Sequence, residues 1–240
     1  MQTRKRIVMY SHSDVLIVGD SFAQHRSNPT DWPMALTKIL TGSDEVPLGV
    51  GIGGTSWWTV RKSIVEALQN QPPKVLIACH TDAFRLPSDK DAGLTPGTVL
   101  EQEYDTKYAN WYSKEEFQAA SMYYMHLMSM DFHIWARNQW YSELDNLLSP
   151  VPIVIHLHCF PEQTGRQEPY IFKHGITSSE ILFHLQVQEA GSPRGTDLPG
   201  FRNHFSPENN VKIARSLYKT IRNFDPASNG TEQNLNLLQQ

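Results

Sequence analysis

The stretch Val15-Leu16-Ile17-Val18-Gly19-Asp20-Ser21-Phe22 decides the fold: four branched apolar residues in a row stop at a small Gly-Asp-Ser turn. An unbroken apolar run of this length reads as a strand covered on both faces, as in parallel α/β sheets. In such sheets the functional crevice lies just beyond the carboxyl ends of the strands. Ser21 therefore stands where a nucleophile or ligand-contacting hydroxyl is placed, and equally where a serine caps a helix.

Working outward from this strand, apolar runs and helical periodicity alternate as in a doubly wound α/β sheet. Asp31 and Pro33 signal a helix over Trp32–Leu40, Val46–Val50 reads as a second strand, and a helix over Val60–Asn70 is stopped by Gln71-Pro72-Pro73. Val75–Cys79 is the third strand and Pro152–Phe160 the fourth. Ser178–Gln188 fits either a helix or a fifth strand. Residues 86–149 are an insertion after the third strand: a loop over Pro87–Asn110, then a helical stretch opened by the capping box Ser113-Lys114-Glu115-Glu116. One unbroken helix from there would be about 50 Å long, too long for the domain, so a break is expected near Asp131. The expected organisation is one domain over residues 1–224, with an Asn-, Gln- and Ser-rich tail over 225–240 that lacks apolar periodicity and is expected to be disordered.

At the far end, Asn203-His204-Phe205-Ser206-Pro207-Glu208 leads into an amphipathic run. Ser206 is a good N-cap and Pro207 suits the first helical position, so His204 lies on the preceding loop, free to point into a crevice. With Gly19-Asp20-Ser21 at one end and His204 at the other, the chain resembles the SGNH (GDSL-type) hydrolase superfamily. The resemblance implies a three-layer flavodoxin-like sheet, Ser21 as nucleophile and His204 as general base. The family's glycine block is similar to Val50-Gly51-Ile52-Gly53-Gly54-Thr55-Ser56, which implies Gly54, or failing it Gly53, as an oxyanion-hole donor. Its Gly-x-Asn-Asp block aligns with Cys79-His80-Thr81-Asp82, with Thr81 in place of the Asn and His80 as a possible further donor. The family's Asp three residues before the His is replaced by Phe201, which leaves a backbone carbonyl, Asp197 or Asp82 as the group that orients His204.

The activity this implies is ester hydrolysis on a small acyl group, with O-acetyl carbohydrate preferred because Trp57, Trp58, Trp111 and Trp140 could stack on sugars. Acyl transfer to a sugar hydroxyl and a catalytically degenerate carbohydrate-binding or structural module are the alternatives. No cofactor is implied. His156 and His158 alternate onto one strand face, a spacing that suits two metal ligands, but no third ligand follows and no metal is expected.

A net charge of −4 excludes the basic footprint of a nucleic-acid binder, and Arg4-Lys5-Arg6 reads as a solvated tail. No run is long and apolar enough for a membrane span, and the N-terminus lacks a signal peptide's apolar core, so a cytoplasmic location is expected. Cys79 and Cys159 read as buried free thiols of a reducing compartment. Gly49-x-Gly51-x-x-Gly54 matches the dinucleotide fingerprint in letters only: it follows the second strand and leads into the bulky Trp57-Trp58.

Overall fold

The structure is a computed structural model that describes residues 10–25, 30–49, 51–88, 90, 93–101, 104, 111–161, 170–191 and 204–238. Five parallel strands form one sheet in the order β1 (Val15–Val18), β2 (Val75–His80), β3 (Ile153–His158), β4 (Ile176–Ile181), β5 (Thr231–Gln233). The chain is thus of the α/β class with a three-layer, flavodoxin-like arrangement. Val15, Ile17, Val75, Ile77, Cys79, Ile155 and Leu157 face one way, toward α1 (Trp32–Thr41) and the later helix Pro207–Arg222. The alternate residues Leu16, Val18, Leu76, Ala78 and Val154 face the other, toward α2 (Trp57–Asn70) and the helix Met130–Leu147. Both faces of β1 and β2 are covered, which is why Val15–Val18 and Val75–Cys79 carry no charged or hydrogen-bonding side chain of ordinary polarity.

The second strand expected over Val46–Val50 is reduced to isolated parallel bridges from Leu48 to Leu16 and from Gly51 to Gly19, with Val50 outside the described residues. The segment runs too close to β1 for side chains. A Cβ on Gly49 would lie 2.3 Å from the Ile17 carbonyl oxygen, and one on Gly51 would lie 2.2 Å from that of Ala23. The glycine run is therefore a close backbone crossing, which accounts for the dinucleotide-like spelling without a nucleotide.

The insertion carries α3 (Pro96–Glu101), within the stretch expected as loop, then α4 (Lys114–His126) and α5 (Met130–Leu147). Ser113 and Glu116 form the expected capping box, and the break falls at residues 127–129, with Ser129 capping α5. Phe117, Ala120 and Tyr124 build a separate small core with Leu94, Val99 and Tyr112. Ile134, Trp140, Tyr141, Leu144 and Leu148 are all buried. Ser178–Gln188 is both readings at once: β4 ends at Ile181 and α6 (Leu182–Ala190) starts at the next residue.

The tail corrects the expectation of disorder. After α7 (Pro207–Arg222) it supplies β5, which pairs with β4, and Leu235 and Leu237 are buried in the first core. Ser216 Oγ donates to the Leu235 carbonyl at 2.6 Å. An exposed edge of β4 recruits the tail through backbone groups, and two leucines suffice to anchor it, neither of which a composition average reveals. No helix among the described residues is long and apolar enough to cross a membrane.

Candidate active site

β1 ends at Val18, and after Gly19 Asp20 caps a single 3₁₀ turn, Ser21–Ala23, by accepting the Phe22 N–H at 3.0 Å. Ser21 thus occupies the first position of a helical turn, whose amide has no acceptor within the turn. On the other side of the crevice Ser206 caps α7 by accepting from the Asn209 N–H, with Pro207 at its first position, as the sequence predicts. His204, two residues earlier, holds a left-handed φ of 70°. Few non-glycine residues do so, histidine more than most, and such conformations gather at functional sites.

This places His204 Nε2 2.6 Å from Ser21 Oγ, across 183 residues of sequence. The imidazole stacks on Phe22, with ring centroids 4.2 Å apart and planes inclined by 24°. Burial pushes its pKa below 6.5; Asp20 pulls it upward and Arg85 pushes it down. The ring is consequently neutral at pH 7, the form a proton acceptor needs.

Two buried side chains clamp the loops together. Trp32 Nε1 donates to the Phe22 carbonyl at 2.6 Å, and the Trp32 N–H donates to Asn210 Oδ1 at 3.1 Å. Asn210 Nδ2 in turn donates to the Phe205 and Ser206 carbonyls, both at 3.1 Å. The serine-bearing and histidine-bearing loops are therefore held to α1 and α7 through one chain of hydrogen bonds.

Beneath Ser21 lies a polar cluster that the sequence reading passed over. Asp20 is wholly buried; its Oδ2 accepts from Thr81 Oγ1 at 3.0 Å and pairs with Arg85 Nη2 at 3.0 Å. Arg85 Nη1 also donates to the Thr55 carbonyl at 2.8 Å, and its guanidinium lies over the Phe160 ring. A charged residue five positions past an apolar strand was the available signal for Arg85, since a buried guanidinium requires a carboxylate partner.

The remaining predicted residues are distributed as follows. Thr81 has one hydroxyl proton and donates it to Asp20, so it braces the turn instead of facing a developing oxyanion. His80 is no donor there either, because strand alternation turns it to the opposite face, where its Nε2 meets His156 Nδ1 at 2.9 Å. Gly53 is the glycine beside the nucleophile, since a Cβ built on it would lie 3.8 Å from that of Ser21. Gly54 has a left-handed φ of 82°, and its carbonyl accepts the Gly93 N–H at 2.8 Å. Asp82 accepts the Phe84 N–H at 2.9 Å and partly offsets the burial that lowers the pKa of His133; it is no partner of His204. Asp197 and Phe201 lie outside the described residues. Among the described residues, His204 Nδ1 is buried and has no hydrogen-bond partner.

Of the tryptophans, Trp140 is buried and offers no stacking face, whereas Trp58 and Trp111 are partly exposed. His156 and His158 share a face as expected, but His156 Nε2 donates to the His174 carbonyl and its Nδ1 meets His80 Nε2, and among the described residues no group of three His, Cys, Asp or Glu is arranged to hold a metal ion. Cys79 and Cys159 are free and buried. A cavity of about 840 Å³ opens beside the glycine loop, from Gly51, Ile52 and His25 at one end to Asn70 and Pro73 at the other. Compared with known proteins, the chain matches no family model, no curated protein and no solved structure.

Proposed function

We propose that this protein is a serine acyl hydrolase of the SGNH (GDSL-type) kind, acting on a small acyl ester through Ser21 and His204. The observation that carries the proposal is the 2.6 Å contact between Ser21 Oγ and His204 Nε2, made by a strand-end serine and a loop histidine held neutral by burial. A nucleophile hydrogen-bonded to a base is the signature of an activated serine. Ser21 Oγ attacks the ester carbonyl as its proton moves to His204 Nε2. The tetrahedral oxyanion is met by the Ser21 N–H and an amide of the Gly53-Gly54 loop. His204 then returns the proton to the leaving alcohol, and water repeats the sequence on the acyl-enzyme.

The cavity beside Gly51 and Ile52 is not lined by Ser21 or His204, so the substrate class rests on the partly exposed Trp58, which suits a sugar, and an O-acetylated carbohydrate is the preferred class. A sugar hydroxyl replacing water gives acyl transfer by the same steps. That His204 Nδ1 has no hydrogen-bond partner among the described residues favours a second reading, a binding module that keeps the fold without turnover. Labelling by a fluorophosphonate probe separates the two. The hydrolase is labelled on Ser21 and loses the label in Ser21→Ala, whereas an unlabelled wild type beside a labelled control esterase would leave only the binding module.

A further inference from the structure

The insertion's apolar side chains fall into three groups: those of its small core, those of α5 that pack on the sheet, and a set that faces solvent. Met122, Met125, Leu127, Met130, Phe132 and Trp135 are 49–74% exposed. They lie at the end of α4, in the connection and over the first turns of α5. Met122 and Met125 are one turn apart near the end of α4, Leu127 lies in the connection, and Met130 opens α5. Phe132 and Trp135 follow one turn apart, with ring centroids at 6.0 Å. Between Gln118 and Gln139 the only fixed charges are Asp131 and Arg137, and Arg137 is buried.

Large exposed apolar patches mark interaction sites, and enrichment in Met, Phe and Trp with depletion of charge is the composition of a protein–protein interface core. A helix that docks on a lipid surface carries Lys or Arg beside its apolar face, which this patch lacks. A partner of opposite charge has nothing here to recognise. An apolar patch does, however, complement itself, which is the requirement of a two-fold contact. The area agrees: large side chains of about 150–250 Å² each, half exposed, present roughly 600 Å². A specific interface takes about 600–1,000 Å² from each partner, which the six side chains reach at its lower end, with the exposed Gln118, Ala119, His126 and Gln139 around them.

We infer that the apolar surface around the α4–α5 connection is the one through which two copies of this chain associate as a two-fold dimer. This stands apart from the catalytic reading, since none of the six side chains touches Ser21 or His204. The test is sedimentation of the full chain from about 1 to about 100 μM, a range that brackets micromolar association. The expected species has twice the 27.4 kDa of one chain. Leu127→Glu/Trp135→Glu sediments as a monomer, with its dissociation constant raised at least about 100-fold, as loss of central interface anchors requires. Because both side chains are more than half exposed, its circular dichroism and melting temperature match the wild type. A wild type monomeric throughout, or a dimer that survives the double substitution, overturns the inference. So does a monomer that floats with phosphatidylcholine vesicles unless Leu127 and Trp135 are replaced, since the patch then serves a lipid surface.

Discussion

Arg85 Nη2 sits 3.0 Å from the Oδ2 of Asp20, the residue that caps the turn carrying Ser21, and both side chains are buried. The pair fixes the turn from below while contributing opposite fields at His204, which Asp20 pushes toward protonation and Arg85 away from it. Removing one member of a buried ion pair leaves an uncompensated charge and costs about 3–5 kcal/mol. Asp20→Asn and Arg85→Gln both lower the melting temperature. They separate in the pH profile: the midpoint of kcat/KM assigned to His204 moves down in Asp20→Asn and up in Arg85→Gln. Shifts of one sign in both variants contradict the assignment.

Ser21→Ala removes turnover of a short-chain aryl acetate but leaves the fold intact. The hydroxyl lies at the start of a 3₁₀ turn capped by Asp20, so its loss changes stability by less than about 1 kcal/mol. Activity assays beside thermal melts check this; a folded variant that keeps most of the activity removes Ser21 from the chemistry.

The orienting group of His204 is tested by single substitutions. Asp82 is occupied by the Phe84 N–H, so Asp82→Asn leaves turnover within a few-fold, whereas His204→Ala abolishes it. If Asp197→Asn also has little effect, Ser21 and His204 work as a dyad with the ring aligned by Phe22. A fall toward the roughly 10⁴-fold loss seen when a triad carboxylate is removed makes Asp197 the third member.

Gly53 and Gly54 differ in how they respond to a side chain. At Gly54 the left-handed φ of 82° makes Gly54→Ala cost about 1–2 kcal/mol of stability. At Gly53 there is room for a methyl group, but Gly53→Val fills the space beside Ser21 and lowers turnover by about 10²–10³, the usual loss when an oxyanion donor is displaced or blocked. Unchanged kinetics in Gly53→Val place the oxyanion elsewhere.

Acid sensitivity follows from the buried histidines. Burial holds His156 at a pKa of about 3 and His158 at about 4, and His80 also lies well below 6.5. Because the folded pKa values are depressed, the unfolded chain binds these protons first. Stability is then complete above about pH 6.5 and falls as the pH drops toward 4, each histidine contributing up to about 1.4 kcal/mol per pH unit. Denaturant melts across this range check the slope, which is smaller in His156→Gln; a flat profile shows that these rings are not buried neutral.

The degree to which the fold and site are legible in the sequence differs by element. The caps at Ser113 and Ser206 satisfy amides within three residues, so local spelling reveals them. The glycine run at 49–54 was readable as a turn, but the reason for it, the carbonyls of Ile17 and Ala23 at contact distance, was not. Thr81 aligned with an oxyanion donor by position, and lost that role to a carboxylate 61 residues away.

What the sequence determined by itself is the alternation of strand and helix, the placement of Ser21 at a strand end and the loop position of His204. These follow from steric and burial rules that act over a few neighbouring residues. Only the tertiary structure decided that β5 comes from the polar tail, that Asp20 belongs to Arg85 and Thr81, and that Phe22 and no described carboxylate lies against His204. The partner of a buried polar group is whichever atom the packed chain brings within about 3 Å. Separation along the sequence places no limit on that choice.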